Sequence, residues 1–289
     1  ATGVLEMDFA GNLKSDPTLL RIRQAYSLLT WEKSSLLLGQ TWHPFFGNAN
    51  MPVVAGLNTG APFSCFNRSP MIRYNYKMTT DLTVSMSAVS EMQYVTPMID
   101  ASSYSSLLTP NHAKRNGVIP EMVLTGEWNK KAVTLGAGAA FKRIKPRMMI
   151  TGTDGSAKAD TYLNSMAYMA YARYKKDKLM VLAKGFMGES MSHLVMPGGY
   201  GIATRNASTG AETYTNYSFL TSSLSMVYGA KWQMGLFAGY GVNMGTSEAL
   251  MDAGSGKAST YGLYLDVQSM FRVAPHIALN LKNFRMVAE

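Results

Sequence analysis

The chain has 289 residues, 47% of them hydrophobic and only 16% charged, against a usual charged share of about 25%. Lys and Arg number 27 against 18 Asp and Glu, and the resulting +9 favours anionic partners. The basic residues are nonetheless dispersed, without a zinc, helix-turn-helix or RNA-recognition signature, which argues against nucleic acid. No run of about 18 apolar residues occurs, so transmembrane helices are excluded, whereas a membrane β-barrel, whose strands average to neutral hydropathy, is not.

Period-two alternation predicts strands in chain order at about 4–9, 19–30, 35–42, 69–78, 82–90, 121–128, 132–142, 162–174, 178–188, 214–228, 232–243, 259–272 and 276–287. Several reach the roughly 9–11 residues with which a tilted strand crosses a bilayer. Tight polar connections at 31–34, 79–81, 129–131, 175–177, 229–231 and 273–275 alternate with long ones at 11–18, 43–68, 92–120, 143–161, 189–213 and 244–258. Short turns at one end and long loops at the other predict an all-β, antiparallel transmembrane barrel, read as one domain over 1–289. No signal peptide opens the chain and Ala1 is not an initiator methionine, so the sequence reads as processed or as a fragment.

Side-chain phase gives each strand two faces. Leu82, Val84, Met86 and Ala88 lie opposite Thr83, Ser85 and Ser87; Val133, Leu135, Ala137, Ala139 and Phe141 lie opposite Thr134, Gly136 and Gly138. The stretch 261–268 places Tyr261, Leu263, Leu265 and Val267 toward lipid, with Tyr264, Asp266 and Gln268 inside. Loop asymmetry and the aromatics Trp128, Tyr174, Tyr228, Trp232 and Tyr240 near strand ends assign the apolar face to lipid. The 22 methionines fall on apolar phases and serve as flexible filler.

The basic residues on the polar phase are the candidate pore lining. In a strand Arg21 and Arg23 share one face opposite Leu20 and Ile22, and Arg73 and Lys77 share one opposite Ile72 and Tyr74, with Arg68 at the entry. Guanidinium groups present paired donors to carboxylates and phosphates and keep their charge, so such a ladder attracts small anions. The competing assignment pairs these arginines with Glu91, Glu121, Glu127 or Asp266. Loop 43–68 is apolar for a loop and carries Phe45, Phe46, Phe63 and Phe66, which points to a constriction folded inward, with capping or subunit contact as the alternative. Gln24 and Gln40 share an outward phase with Trp42, a costly placement against lipid, and mark the wall 19–42 as a candidate subunit interface.

The stretches RIRQAYSLL, LLLGQTWHPFF and FNRSPMIRYNY resemble the DcaP-like porins of Gram-negative outer membranes, and GVLEMDFAG resembles the strand before them. The resemblance is specific over residues 3–78 and architectural beyond. It implies a trimeric barrel in the outer membrane, surrounded by lipid and lipopolysaccharide, that passes small anionic solutes. Membrane barrels of bacteria have even strand numbers, about 14–16 here. The thirteen predicted strands therefore imply that strands precede Ala1 and follow Glu289, or that one lies within 92–120.

No catalytic or metal constellation is legible. His43, His112, His193 and His276 stand isolated in sequence, the TGTDGSAKAD stretch lacks the ligand density of a calcium loop, and the lone Cys65 has no nearby partner, so neither enzyme nor cofactor is expected. A barrel with a plugged lumen, supporting a surface complex, is the alternative function.

Overall fold

The protein is described by a computed structural model over residues 1–8, 20–47, 49–56, 59–97, 99, 120–252 and 258–289. Its strands are β1 (Thr2–Asp8), β2 (Arg21–Thr30), β3 (Ser34–Trp42), β4 (Arg68–Lys77), β5 (Leu82–Val89), β6 (Glu121–Lys130), β7 (Val133–Ile144), β8 (Met149–Gly152) and β9 (Gly155–Lys158). There follow β10 (Leu163–Lys176), β11 (Leu179–Glu189), a 3-10 turn at Met191–Leu194, β12 (Gly198–Arg205), β13 (Glu212–Gly229), β14 (Trp232–Thr246), β15 (Thr260–Leu263), β16 (Ser269–Leu281) and β17 (Phe284–Ala288). The wall is a single antiparallel path, β1-β2-β3-β4-β5-β6-β7-β10-β11-β13-β14-β16-β17, in which each strand pairs with its chain neighbours. β1 and β17 each have one neighbour among the described residues.

Because successive wall strands are antiparallel neighbours, every tight turn lies at one end and every long connection at the other. The faces follow the same logic. On β4, Ile72, Tyr74 and Tyr76 are exposed, while Met71 is buried and Arg73 half-buried on the opposite side. On β7, Leu135 and Ala137 are exposed and Thr134 and Lys142 buried, as the phase of that strand predicts. An outer surface of Leu, Ile, Met and Tyr around an inner face bearing Arg, Lys, Glu, Ser and Thr is the inverse of a soluble sheet and fits a strand wall solvated by lipid. Methionines occupy both apolar settings, exposed at Met86, Met187 and Met226 and buried at Met71 and Met169. Trp31, Tyr76, Tyr174, Tyr228 and Trp232 are exposed near the tight-turn end, where amphipathic rings sit at the headgroup level.

Three expectations change. The strand at 259–272 divides: Thr260–Leu263 form β15, which pairs with β12 beside the long-loop end, and only Ser269–Arg272 join the wall, as the start of β16. The predicted turn at 273–275 lies inside β16, with Pro275 opposite Leu236, and the chain reverses at Lys282 and Asn283. Proline reads as punctuation in sequence, but β17 pairs only from Ile277 onward, so Pro275 sits on an edge that needs no N–H. The segments 143–161 and 189–213 are also more ordered than bare loops: the first carries the β8–β9 hairpin, the second β12 paired along the first third of β13. The further strand considered within 92–120 falls largely on residues 100–119, outside the described residues, as does His112.

The apolar core lies inside the wall. Phe45, Phe46 and Cys65 pack with Met169, Leu182, Phe186 and Phe219 of the inner face, and Phe63 forms a second cluster with Phe237 and Ala274. The lumen is thus partly filled by protein, in contrast to the uniformly wet interior that alternation alone suggests.

Candidate functional site

The five candidate cations have different fates. Arg21 makes a bidentate pair with Asp8, Nε to Oδ1 at 3.0 Å and Nη2 to Oδ2 at 2.7 Å. Arg23 lies 3.2 Å from Glu6 and 3.5 Å from Asp8. The partners are therefore carboxylates of β1, instead of Glu91, Glu121, Glu127 or Asp266. Arg68 lays its guanidinium over the Trp42 ring at 3.8 Å and contacts Gln93. Arg73 donates from Nη2 to the Trp42 carbonyl at 2.9 Å and has no carboxylate partner among the described residues. Lys77 is exposed beside the tight turn.

A β-bulge alters the interface reading. Glu6 opposes Gln24 while Met7 opposes Ile22, which leaves Arg23 as the extra residue. The extra residue shifts the phase, so Gln24 turns inward with Glu6 and accepts from Thr41 at 2.7 Å; its own amide donates to Glu6. Gln40 keeps the outward phase and donates to the carbonyls of Ile22 and Arg23 at 3.0 and 3.3 Å, satisfying oxygens that the bulge leaves free. Trp42 is engaged within the chain, 4.3 Å from Phe46 and 5.3 Å from Phe66 between ring centroids.

The segment 43–67 crosses the interior. Phe45 reaches Phe186 of β11, and a Cβ on Gly138 would come within 2.9 Å of the Phe45 ring. Phe63 presses on β14, where a Cβ on Gly239 would sit 2.4 Å from its ring; the bare glycines are what lets the aromatic rings approach the wall. Val53 donates its N–H to Ser225 Oγ at 3.1 Å, four residues from the tight turn after β13, so the segment descends most of the barrel depth. Between it and the β4–β10 wall remains a cavity of about 210 Å³ lined by Asn50, Arg73, Thr83, Thr125, Glu127 and Tyr171.

At the long-loop end the base of this segment meets a buried charge network that the sequence did not reveal. The Nε2 atoms of His43 and His193 lie 3.3 and 3.1 Å from Glu121 Oε2. Lys142 Nζ reaches Thr96 Oγ1 at 2.7 Å, the Ser190 carbonyl at 2.8 Å, His193 Nδ1 at 3.0 Å and Glu91 Oε1 at 3.2 Å. Asn67, at the other foot of the segment, donates to the His193 carbonyl at 2.7 Å. Burial, the largest influence, holds the His43 imidazolium below its ordinary range despite the opposing pull of Glu121.

Two histidines and a glutamate within 4.8 Å have the composition of a metal-binding set. The outer contacts do not fit one. A metal-ligating imidazole donates from its second nitrogen, but His43 Nδ1 accepts the Phe45 N–H at 3.2 Å and His193 Nδ1 faces the Lys142 ammonium. Both rings therefore carry their proton on Nε2 and donate it to Glu121. The set is a hydrogen-bonded latch that fastens both feet of the segment.

No protein-family model and no curated protein matches the chain. Among solved structures it is similar to the outer membrane channel DcaP of Acinetobacter baumannii, with TM-score 0.67 and 16% identity over 99% of this chain and 71% of that one. A weaker likeness, TM-score 0.44 and 9% identity over 89% of this chain and 80% of that one, is to the trimer form of OmpT, an outer membrane protein of Vibrio cholerae. The outward apolar surface and the likeness to DcaP converge: this chain has the fold of a bacterial outer-membrane β-barrel.

Proposed function

We propose that the protein is a passive outer-membrane porin for small hydrophilic solutes, with a preference for anions such as carboxylates and phosphates, and that it is not an enzyme. Arg73 carries this reading. Among the five cations considered, Arg21 and Arg23 are neutralised by β1, whereas Arg73 lines the 210 Å³ cavity without a direct ion pair among the described residues, the Glu127 carboxylate on the same lining being held by the Tyr171 hydroxyl. A fixed positive charge in a narrow, partly desolvated passage favours anions. The segment 43–67 acts as the constriction, with Phe45, Phe46 and Phe63 as its packed side. The buried histidines are committed to Glu121 and closed to solvent, which supports a channel over a catalyst.

The whole chain acts as one barrel domain and assembles as a homotrimer in contact with lipid and lipopolysaccharide, the wall 19–42 being the candidate contact through Gln40. A second reading, a plugged barrel that supports a surface complex, is favoured by the complete burial of Phe45 and Phe63 inside the lumen. The test compares Arg73→Gln with Arg21→Gln under a salt gradient in planar bilayers. Loss of anion preference in the first, with a smaller change in the second, supports the proposal. Equal behaviour of both variants and the parent argues against it.

A further inference from the structure

We propose that Lys184 is the positioning residue that holds the 43–67 segment across the lumen and thereby sets the aperture of the channel. The proposal rests on the porin reading for its consequence, but not for its geometry. Lys184 projects from the inner face of β11 and is 3% exposed. Its three N–H groups are shared among four oxygens, all on the segment: the Phe45 carbonyl at 3.1 Å, Asn50 Oδ1 at 3.1 Å, the Asn50 carbonyl at 3.4 Å and Ser64 Oγ at 3.4 Å. The Phe186 ring lies 4.9 Å from Nζ. No carboxylate pairs with it among the described residues, so neutral dipoles alone compensate the buried charge.

The segment is shaped around that cation. Asn50 folds back so that its Nδ2 donates to the Phe45 carbonyl at 3.3 Å while its Oδ1 accepts the Gly47 N–H at 3.0 Å. This draws Phe45, Gly47 and Asn50 into a crown in which the Phe45 and Asn50 oxygens point at one atom. Ser64, from the returning limb, completes it, so a single wall residue ties both limbs together in mid-lumen. Removal of the ammonium leaves the Asn50 carbonyl buried without a donor and the Phe45 carbonyl with the Asn50 Nδ2 bond alone, and the segment regains the lost partners by moving into water. A packing side chain would be replaced by any group of its volume; a pin needs N–H donors at that point.

The test uses the chain's own reporter. Cys65 is the neighbour of Ser64, fully buried and the only cysteine in the sequence. Its reaction with an aromatic disulfide reagent reads release of the segment independently of conductance. In the folded full chain, Lys184→Ala is expected to speed Cys65 labelling by about tenfold or more, the loss of charge-assisted bonds setting the scale, and to raise single-channel conductance. Excess methylammonium, which restores N–H donors, is expected to slow labelling again, whereas tetramethylammonium, which has none, leaves it fast. Unchanged labelling, or equal response to both amines, overturns the proposal. Should Lys184→Ala not fold, Lys184→Met keeps the volume and removes the N–H donors; faster labelling supports the pin and unchanged labelling overturns it. A parent that never conducts, yet shows Lys184-dependent labelling, sinks the porin reading and leaves the pin standing.

Discussion

Glu121→Gln is the sharpest perturbation of the latch, because both imidazoles give it their Nε2 protons. Each hydrogen bond to the charged carboxylate contributes about 1.5–3 kcal/mol, and a neutral amide oxygen recovers about 1 kcal/mol from one histidine. The amide NH₂ then faces the other Nε2–H, donor against donor. The net loss is about 2–5 kcal/mol, equivalent to about 30- to 5000-fold in an opening equilibrium. Two amides report that opening: Phe45 N–H, bonded to His43 Nδ1, and Phe66 N–H, bonded to the Leu194 carbonyl at 2.8 Å. Hydrogen exchange of the protein in detergent micelles should show both accelerating by that factor in the variant, while amides of the β7–β10 ladder stay protected. Protection of Phe45 and Phe66 within about threefold of the parent would refute the latch, since two charge-assisted bonds cannot be lost from a closed site at no cost.

Acid should loosen the same segment. His43 is held below 6.5, so the open state binds more protons and the latch weakens as pH falls below 6.5, by at most about 1.4 kcal/mol per pH unit for that group. At Glu91, burial raises the carboxyl but is outweighed by Lys142, His193 and the Thr96 N–H, so its contribution is present above 4.5 and lost as pH falls through its lowered value. Both act in one direction, and exchange of the 43–67 amides, corrected for intrinsic rate, should quicken from pH 7.5 to 5; constancy over that range would exclude His43. Gly239→Leu, which forces a side chain into Phe63, should cost about 1–3 kcal/mol and lower the unfolding midpoint, whereas Gly126→Ala, with no heavy atom within 4 Å of the new Cβ, should leave it unchanged.

The strand plan was legible because local rules agree with the fold. β5 and β7 alternate cleanly and are bounded by polar turns, so their faces follow from period two alone. Where local punctuation and tertiary position conflict, the reading slipped: Pro275 signals a turn but tolerates an unpaired edge, and 261–268 alternates like a wall strand, yet its first residues pair with β12 and the rest form no strand. The site was less accessible for a different reason. Arg21 finds Asp8 across a long connection, and a one-residue bulge at Arg23 reverses the phase of Gln24, which no alternation count registers. His43 and His193 meet on Glu121 from 78 and 72 residues away, joined only once the loops fold over the lumen. The aromatic content of 43–68 did point inward, since that much apolar surface needs a partner, but nothing in the spacing of Lys184 announced the crown that receives it.

The central claim, an open anion-preferring passage beside a pinned segment, is tested most directly by single-channel recording of the purified chain in planar bilayers under a potassium chloride gradient. The account predicts discrete conductance steps with a reversal potential on the anion side, weakening as salt rises because the Arg73 field is screened within about 8 Å at physiological ionic strength. A membrane that stays silent with correctly folded protein inserted, or steps that reverse on the cation side, would contradict it.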